Sequence, residues 1–285
     1  MAELLKGAPV ARAISEDLAA RVEALGKKGI VPTLAIVRVG ERDDDLAYER
    51  GAKKRCANIG IAVRSFVLPA TCSQAELMEV IEQINTDDSI HGCLLLRPLP
   101  KTIDEAAICA ALDARKDVDC ATDQSLFGVF ANQALGFPPC TAEACILMLE
   151  HYGFELEGAN VCVVGRSLVI GKPVSMMLQA KNATVTMCHT RTRDLGSVCK
   201  GADILVVAAG HNGTIGADAV REGQCVLDVG INWDEDAQKL VGDVSFAEVE
   251  PVVGAITPVP GGVGAVTTAV LAKHVVEAAE RTATA

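Results

Sequence analysis

One segment, residues 159–173 (ANVCVVGRSLVIGKP), constrains the fold of this chain more than any other part of the sequence. Residues 161–164 are apolar and mostly β-branched, which predicts a strand buried on both faces. Gly165 and Gly171 allow a tight turn and a close backbone approach, and Ser167 between them offers a hydroxyl. This pattern favours a loop that binds a phosphate at the N-terminus of a helix. Its G-x-S-x-x-x-G spacing differs from the usual G-x-G-x-x-G, so a strand-to-helix turn without a ligand is the alternative.

The segment after the next predicted strand indicates which dinucleotide would bind. A NAD-binding unit usually carries an acidic residue at the end of this strand, predicted at residues 183–188. The chain instead continues with His-Thr-Arg-Thr-Arg at 189–193. Since a guanidinium fork matches phosphate oxygens, Thr190 and Arg191 favour a phosphate on the adenosine ribose, and Arg166 is a further candidate. The sequence therefore predicts NADP rather than NAD, and a solvated basic turn is the alternative.

Composition and charge favour an α/β protein that binds small anionic ligands. Half of the 285 residues are apolar and only 3% are aromatic, so the core must consist of Val, Ile, Leu and Ala, as in buried parallel sheets. The formal net charge of −11 argues against a nucleic-acid partner, which would require clustered Lys and Arg.

The cysteines and histidines indicate neither disulfides nor a metal. The 11 cysteines are scattered and form no C-x-x-C pair, which is typical of small buried hydrophobic residues in a reducing cytosol. We therefore expect a cytoplasmic protein. The five histidines do not cluster, so no metal is expected. Residues 251–272 carry no charge, but their prolines and glycines interrupt a helix, so no membrane partner is expected.

Alternating strand and helix patterns predict two α/β domains, each a parallel sheet flanked by helices, the second being a Rossmann-like dinucleotide-binding domain. We expect a first domain at residues 1–140, completed by a C-terminal helix at 266–285, and a second domain at 141–265. Residues 113–139 have no regular pattern. Helices are predicted at 4–25, 45–58, 74–85, 141–152 and 266–281, and strands at 33–39, 60–68, 92–96, 161–164, 183–188, 204–209 and 226–230.

Seven short motifs follow one another along nearly the whole chain. They are KDVD at 116–119, PPCTA at 138–142, VVGRSLVIGKP at 163–173, ATVTMCHTRT at 183–192, ADILVVAAG at 202–210, VLDVGIN at 226–232 and ITPVPGGVG at 256–264. In this order and spacing the set resembles the methylenetetrahydrofolate dehydrogenase/cyclohydrolase family of folate one-carbon metabolism. The resemblance implies NADP-dependent oxidation of 5,10-methylenetetrahydrofolate to 5,10-methenyltetrahydrofolate by hydride transfer. It also implies a homodimer.

The resemblance assigns roles to individual residues. Asp119 would accept hydrogen bonds from the amino and ring N–H groups of the pterin, and Tyr48 would stack on the folate, so both are candidate catalytic residues. Further substrate contacts are implied for Leu96, Pro258, Gly261 and Gly262. Cofactor contacts are implied for Gly165, Arg166, Ser167, Gly171, Thr190, Arg191 and Ile231.

Two positions depart from the pattern of the bifunctional family members. Those members carry a lysine four residues after the tyrosine and a glutamine at the end of the third strand, whereas this chain has Ala52 and Leu96. Lys53 and Arg97 are adjacent to these positions. However, one residue along a helix rotates a side chain by roughly 100°, and neighbouring strand residues face opposite sides.

These departures predict unequal effects on the two family reactions. Hydride transfer needs positioning and the chemistry of the cofactor, whereas hydrolysis of the methenyl cation needs a side chain that moves protons. Loss of such a group typically lowers a rate by a factor of about 10² to 10⁴, so we predict a dehydrogenase with weak or absent cyclohydrolase activity.

Three alternatives are left open by the sequence. The first is a bifunctional enzyme, also making 10-formyltetrahydrofolate, in which Lys53 or Arg97 supports hydrolysis. The second is a non-catalytic regulatory protein that binds folate and dinucleotide. The third is another two-domain dehydrogenase, such as the shikimate type.

Overall fold

The computed structural model describes residues 1–235 and 237–284. The strands are β1 (Glu3–Leu4), β2 (Thr33–Val39), β3 (Ala62–Leu68), β4 (Gly92–Leu95), β5 (Asn160–Val164), β6 (Thr184–Cys188), β7 (Ile204–Val207), β8 (Cys225–Asp228), β9 (Asn232–Asp234), β10 (Lys239–Val241) and β11 (Ala255–Ile256). The α-helices are α1 (Gly7–Gly26), α2 (Asp43–Ile59), α3 (Gln74–Thr86), α4 (Glu105–Ala111), α5 (Asp123–Ala131), α6 (Cys140–His151), α7 (Gly171–Ala180), α8 (Leu195–Lys200), α9 (Phe246–Val249) and α10 (Thr267–Thr284).

The chain divides into two compact units. Met1–Arg12 and Thr141–Thr267 form a unit built on a six-stranded sheet, here called the six-stranded unit. Ala13–Cys140 and the residues from Thr268 onward form a unit built on a three-stranded sheet, here called the three-stranded unit. Among the described residues, no helix combines the length and apolar content needed to cross a bilayer.

The three-stranded unit has the strand order β3-β2-β4, with all pairs parallel. Every residue of the central strand β2 is buried, which explains its continuous run of apolar residues. Helix α3 packs Leu77, Ile81 and Ile84 into the same apolar cluster as Val37 of β2. Ser73 sets the start of this helix, because it and the Glu76 side chain cap each other's backbone N–H groups at 3.2 and 2.7 Å.

The six-stranded unit has the order β1-β11-β8-β7-β5-β6, and these strands also pair in parallel. Its core contains apolar side chains from the central strands, including Val164, Val207 and Val226. Both units therefore have the predicted α/β architecture, and the fold class is confirmed.

The N-terminal segment differs from the predicted helix and domain. The sequence led us to expect a helix from residue 4 within the first domain. Instead, Glu3 pairs with Ala255 and Leu4 with Ile256, so that β1 extends the six-stranded sheet. A two-residue strand at the edge of a sheet has too short a pattern to be recognised before its partner is known.

Residues 123–131, for which we predicted no regular structure, form α5. Thr122 caps this helix by accepting a hydrogen bond from the N–H of Ser125 at 3.1 Å, and Asn132 ends it with a φ of +52°. The apolar side chains of Phe127 and Phe130 are 55% and 70% exposed. Helical periodicity is weak here because apolar residues lie on the exposed face as well as the buried one.

Candidate active site

The loop between β5 and α7 has a backbone that requires its two glycines. Gly165 has a φ of +140°, and a Cβ there would collide with the carbonyl oxygen of Ala208. A Cβ at Gly171 would in turn collide with the carbonyl oxygen of Gly165. The six-residue loop at 165–170 can therefore fold back closely on itself before α7 begins at Gly171. This geometry suits a phosphate group.

Ser167 holds this loop together as well as facing solvent. Its Oγ accepts a hydrogen bond from the N–H of Ile170 at 3.1 Å, while its carbonyl oxygen accepts one from Lys172 at 3.0 Å. Both Ser167 and the neighbouring Arg166 are exposed. The predicted phosphate ligands therefore lie on an accessible loop with a fixed backbone.

The turn after β6 leaves the predicted ribose-phosphate ligands open to solvent. His189 and Thr192 close the turn: the N–H of His189 donates to the Thr192 hydroxyl at 2.9 Å, and the N–H of Thr192 donates to the His189 carbonyl at 2.8 Å. Thr190 and Arg191 lie at the tip with exposed side chains. The N–H of Arg191 also donates to Nδ1 of His189 at 3.1 Å, which orders the backbone beneath the guanidinium.

A cavity of about 300 Å³ lies at the C-terminal end of β8. Its walls come from Asp228 to Ile231, from Leu240 and from the loop at 258–265. The structure thus brings together four residues expected to contact ligands, namely Ile231, Pro258, Gly261 and Gly262. Glycine is required at 261, where φ is +103°, and at 262, where a Cβ would lie 2.6 Å from the Pro258 carbonyl oxygen. Ligands of open parallel sheets bind at this end of the strands.

Two buried carboxylates support the walls of this cavity. Neither was predicted from the sequence. Asp228 accepts hydrogen bonds from the backbone N–H groups of Gly230, Asp243 and Val244 at 3.1, 2.9 and 3.0 Å. Asp243 accepts from those of Ala209 and Gly210 at 2.6 and 2.8 Å. Burial raises the pKa of Asp228 to about 6. An acidic residue inside the apolar run VLDVG was the signal that could have revealed this network.

In the three-stranded unit, α2 presents Tyr48 and Ala52 one helical turn apart. Tyr48 is half-buried, whereas Ala52 is fully buried at 0% exposure. Burial raises the pKa of Tyr48 well above its ordinary value, and the nearby carboxylate of Asp119 raises it further. The structure therefore places the two predicted catalytic residues, Tyr48 and Asp119, near each other.

The turn that carries Asp119 is held by the wholly buried Asp117. The Asp117 carboxylate accepts hydrogen bonds from the N–H groups of Ala121 and Thr122 at 2.8 Å each, and from the Ser125 hydroxyl at 2.6 Å. Asp119 accepts one from the N–H of Cys140 at 3.2 Å. Burial raises the pKa of Asp119. The carboxylate is thus anchored by Cys140 and has further acceptor capacity for a ligand.

Lys53 does not share the environment of Ala52. Its ammonium lies 2.6 Å from the carboxylate of Glu49, which also accepts from Arg38 at 2.8 Å and from Ser65 at 3.1 Å. Burial alone would raise the pKa of Glu49, but these hydrogen bonds lower it below its ordinary value. Lys53 is therefore bound to a carboxylate that faces strand β3.

Arg97 follows the buried Leu96, whose side chain is 7% exposed. The guanidinium of Arg97 lies near the thiol of Cys109; burial raises the pKa of this thiol, and the positive charge of Arg97 opposes that rise. Cys109 belongs to the same apolar cluster as Leu95.

A Rossmann-like unit with a glycine-constrained loop, in the same chain as a second α/β unit, defines a two-domain protein of the dinucleotide-binding class. Sequence profiles of known families identify it further. The NAD(P)-binding domain of tetrahydrofolate dehydrogenase/cyclohydrolase matches residues 139–283, and the catalytic domain of the same family matches residues 5–119. The chain belongs to the tetrahydrofolate dehydrogenase/cyclohydrolase family. This membership confirms the resemblance and the expected nicotinamide cofactor class, and contradicts the shikimate-type alternative.

Individual relatives cover the whole length of the chain. The protein named bifunctional protein FolD from Carboxydothermus hydrogenoformans is 51% identical over 281 residues, which cover 98% of each chain. The crystal structure of the bifunctional enzyme FolD from Campylobacter jejuni is 36% identical, with a TM-score of 0.95, and covers 99% of this chain and 100% of its own. The Trypanosoma brucei methylenetetrahydrofolate dehydrogenase-cyclohydrolase, complexed with NADP and an inhibitor, is 33% identical, with a TM-score of 0.92 and coverage of 100% and 99%.

Proposed function

We propose that this chain is an NADP-dependent methylenetetrahydrofolate dehydrogenase. In this reaction a C–H bond of the methylene bridge breaks, the hydride moves to the nicotinamide ring, and a methenyl cation shared by two folate nitrogens is left. The observation that carries the proposal is the proximity of Tyr48 to the half-buried Asp119 in one unit, in a chain that also keeps the glycine-constrained loop at Gly165 and Gly171.

The residues of the three-stranded unit are suited to bind and orient a pterin. The Asp119 carboxylate would accept two parallel hydrogen bonds from the amino and ring N–H groups, which fixes both position and orientation. The Tyr48 ring would cover one flat face of the folate. Since the hydride acceptor brings the redox chemistry, this positioning is the main contribution required from the protein.

NADP, rather than NAD, is the cofactor we propose. Arg191 and Thr190 lie exposed at the end of β6, where a phosphate on the adenosine ribose would be recognised, and Arg166 is in the adjacent loop. The NADP bound to the Trypanosoma brucei relative supports the same choice.

A second candidate function is the bifunctional one, with hydrolysis of the methenyl cation to 10-formyltetrahydrofolate. The comparisons favour it over our single-activity prediction, since the relatives at 44–51% identity are named bifunctional proteins. The side chains at Ala52 and Leu96 favour the single activity, because neither can accept or donate a proton. If hydrolysis occurs, a group other than these two residues must activate the water.

Substitution of Asp119 by Asn tests the assignment of the folate site. The amide places a donor opposite the pterin donors, so kcat/KM for methylenetetrahydrofolate should fall by a factor of about 10² or more. Asp123→Asn, an exposed carboxylate at the start of α5, is the matched control. Unchanged turnover in the Asp119 variant would contradict the site. Tight binding of NADP and folate by the wild-type protein without any turnover would instead favour the non-catalytic alternative.

A further inference from the structure

His274 lies on α10, fully buried beneath the turn that carries Asp119. Its Nδ1 is 2.8 Å from the backbone carbonyl oxygen of Val118, the residue directly before Asp119. Since a carbonyl oxygen can only accept a hydrogen bond, Nδ1 must carry the proton and donate it. The imidazole therefore fixes the peptide plane from which the Asp119 side chain departs.

Cys140 joins this histidine to the carboxylate. The Cys140 thiol donates to the Val118 carbonyl at 3.4 Å and lies 3.7 Å from Nδ1 of His274. The N–H of the same Cys140 donates to Oδ1 of Asp119 at 3.2 Å. The buried His274 and Cys140 and the half-buried Asp119 thus form one cluster, in which the carboxylate is held both through its own oxygen and through the preceding peptide.

Packing keeps the imidazole in the orientation that this hydrogen bond requires. The ring of Phe137 lies 4.9 Å from that of His274, centroid to centroid, at an interplanar angle of 31°. The guanidinium of Arg281 lies 4.1 Å from the Phe137 centroid and holds that ring in turn. These contacts restrict the rotamers open to the imidazole.

We propose that His274 is a positioning residue for folate: it holds the Val118–Asp119 peptide so that the Asp119 carboxylate points at the pterin donors. This inference rests on the proposed function, because Asp119 must be the pterin ligand for it to matter. The KDVD motif identifies Asp119, but nothing in the sequence connects it to a histidine 155 positions further along the chain.

Three substitutions of His274 separate positioning from simple packing. Asn places an amide N–H near the position of Nδ1, so His274→Asn should preserve the hydrogen bond to Val118. Gln places its amide near the position of Nε2, so His274→Gln keeps polarity but loses that bond, and His274→Leu loses polarity as well. The control is His151→Gln, which replaces an exposed histidine of the six-stranded unit.

The readout is KM for methylenetetrahydrofolate and for NADP, with melting temperature as the check on folding. We expect the folate KM to rise about tenfold in the Gln and Leu variants and to stay within about threefold of wild type in the Asn variant, with the NADP KM unchanged in all. A purely structural role would instead change both KM values in parallel with melting temperature. If the Leu variant does not fold, the Gln and Asn variants give the same comparison.

The possible results separate this inference from the function on which it rests. Equal folate KM values in wild type and His274→Gln would overturn the positioning role while leaving the dehydrogenase assignment intact. A wild-type protein without methylenetetrahydrofolate turnover would overturn both.

Discussion

Ala52 and Leu96 are the two residues on which the single-activity prediction depends. Both side chains are buried, at 0% and 7% exposure, in the unit that holds Tyr48 and Asp119. Of the neighbouring cations, Lys53 is paired with the Glu49 carboxylate, and Arg97 lies near the thiol of Cys109. The sequence predicted that both neighbours point away from positions 52 and 96. The ion pair of Lys53 agrees with this, whereas for Arg97 it stays a prediction.

Restoring the two side chains should increase hydrolysis of methenyltetrahydrofolate. The double substitution Ala52→Lys with Leu96→Gln places an ammonium and an amide beside the predicted folate site, and we expect an enzyme-dependent hydrolysis rate at least about 10²-fold above that of the parent chain. The decay of methenyltetrahydrofolate absorbance measures it. Lys53→Ala is the matched control, for which we expect no change in this rate. A double variant with normal melting temperature and no gain would contradict the roles given to positions 52 and 96.

Substitution of Arg191 tests the predicted preference for NADP over NAD. Its exposed guanidinium is suited to a phosphate on the adenosine ribose, so Arg191→Ala should lower kcat/KM for NADP by a factor of about 10 or more and leave that for NAD nearly unchanged. Lys200→Ala, an exposed cation at the end of α8 in the same unit, is the control. Equal losses with both dinucleotides would indicate that Arg191 does not distinguish them.

At the scale of elements, strands buried on both faces were easier to predict from the sequence than elements with exposed apolar residues. The apolar run at 33–39 predicted β2 with its observed bounds, because a strand buried on both faces needs no partner to be recognised. The hairpin β9–β10 and the helix α5 were missed, because exposed apolar residues such as Trp233 and Phe130 obscure the pattern.

In the candidate site, too, only residues with local contacts could be predicted from the sequence. The glycines of the loop between β5 and α7 could be identified because their contacts are local: the clash that excludes a Cβ at Gly171 involves Gly165, six positions away. The contact of His274 with Val118 joins residues 156 positions apart. Such a contact depends on the packing of α10 against the rest of its unit, and no local pattern reports it.

Asp228, buried at the end of β8, should make the free energy of unfolding depend on pH. Burial raises the pKa of Asp228 from 3.8 to about 6, so the folded protein binds this proton more tightly than the unfolded chain does. The contribution of Asp228 to the free energy of unfolding should therefore be full below pH 4 and should decline as pH rises towards 6. The decline amounts to about 3 kcal/mol, at 1.36 kcal/mol per pKa unit.

Denaturant unfolding of the wild type and of Asp228→Asn at several pH values measures this contribution. The difference in unfolding free energy between the two proteins should shift against the wild type by about 2.4 kcal/mol between pH 4 and pH 7, most of the full decline. Asp218→Asn provides a carboxylate control outside this network. A difference that does not depend on pH would contradict the raised pKa of Asp228.

At the scale of the whole molecule, the chain combines two α/β units, and both carry residues predicted to contact ligands. The six-stranded unit holds the glycine-constrained loop and the cavity at Ile231 and Gly262, and the three-stranded unit holds Tyr48 and Asp119. The Carboxydothermus and Campylobacter relatives cover 98% and 99% of this chain, which indicates that both units belong to one family architecture. The expectation of a homodimer stays a prediction, which light scattering on the purified protein would measure.

A paired assay on the purified wild-type protein tests the proposed function most directly. Formation of NADPH from NADP and methylenetetrahydrofolate is measured together with enzyme-dependent decay of methenyltetrahydrofolate in the same buffer. We expect rapid NADPH formation, and the presence or absence of decay then decides between the bifunctional function favoured by the relatives and the single activity favoured by Ala52 and Leu96. An absence of NADPH formation, with the protein folded and both ligands present, would contradict the proposal that this chain is a methylenetetrahydrofolate dehydrogenase.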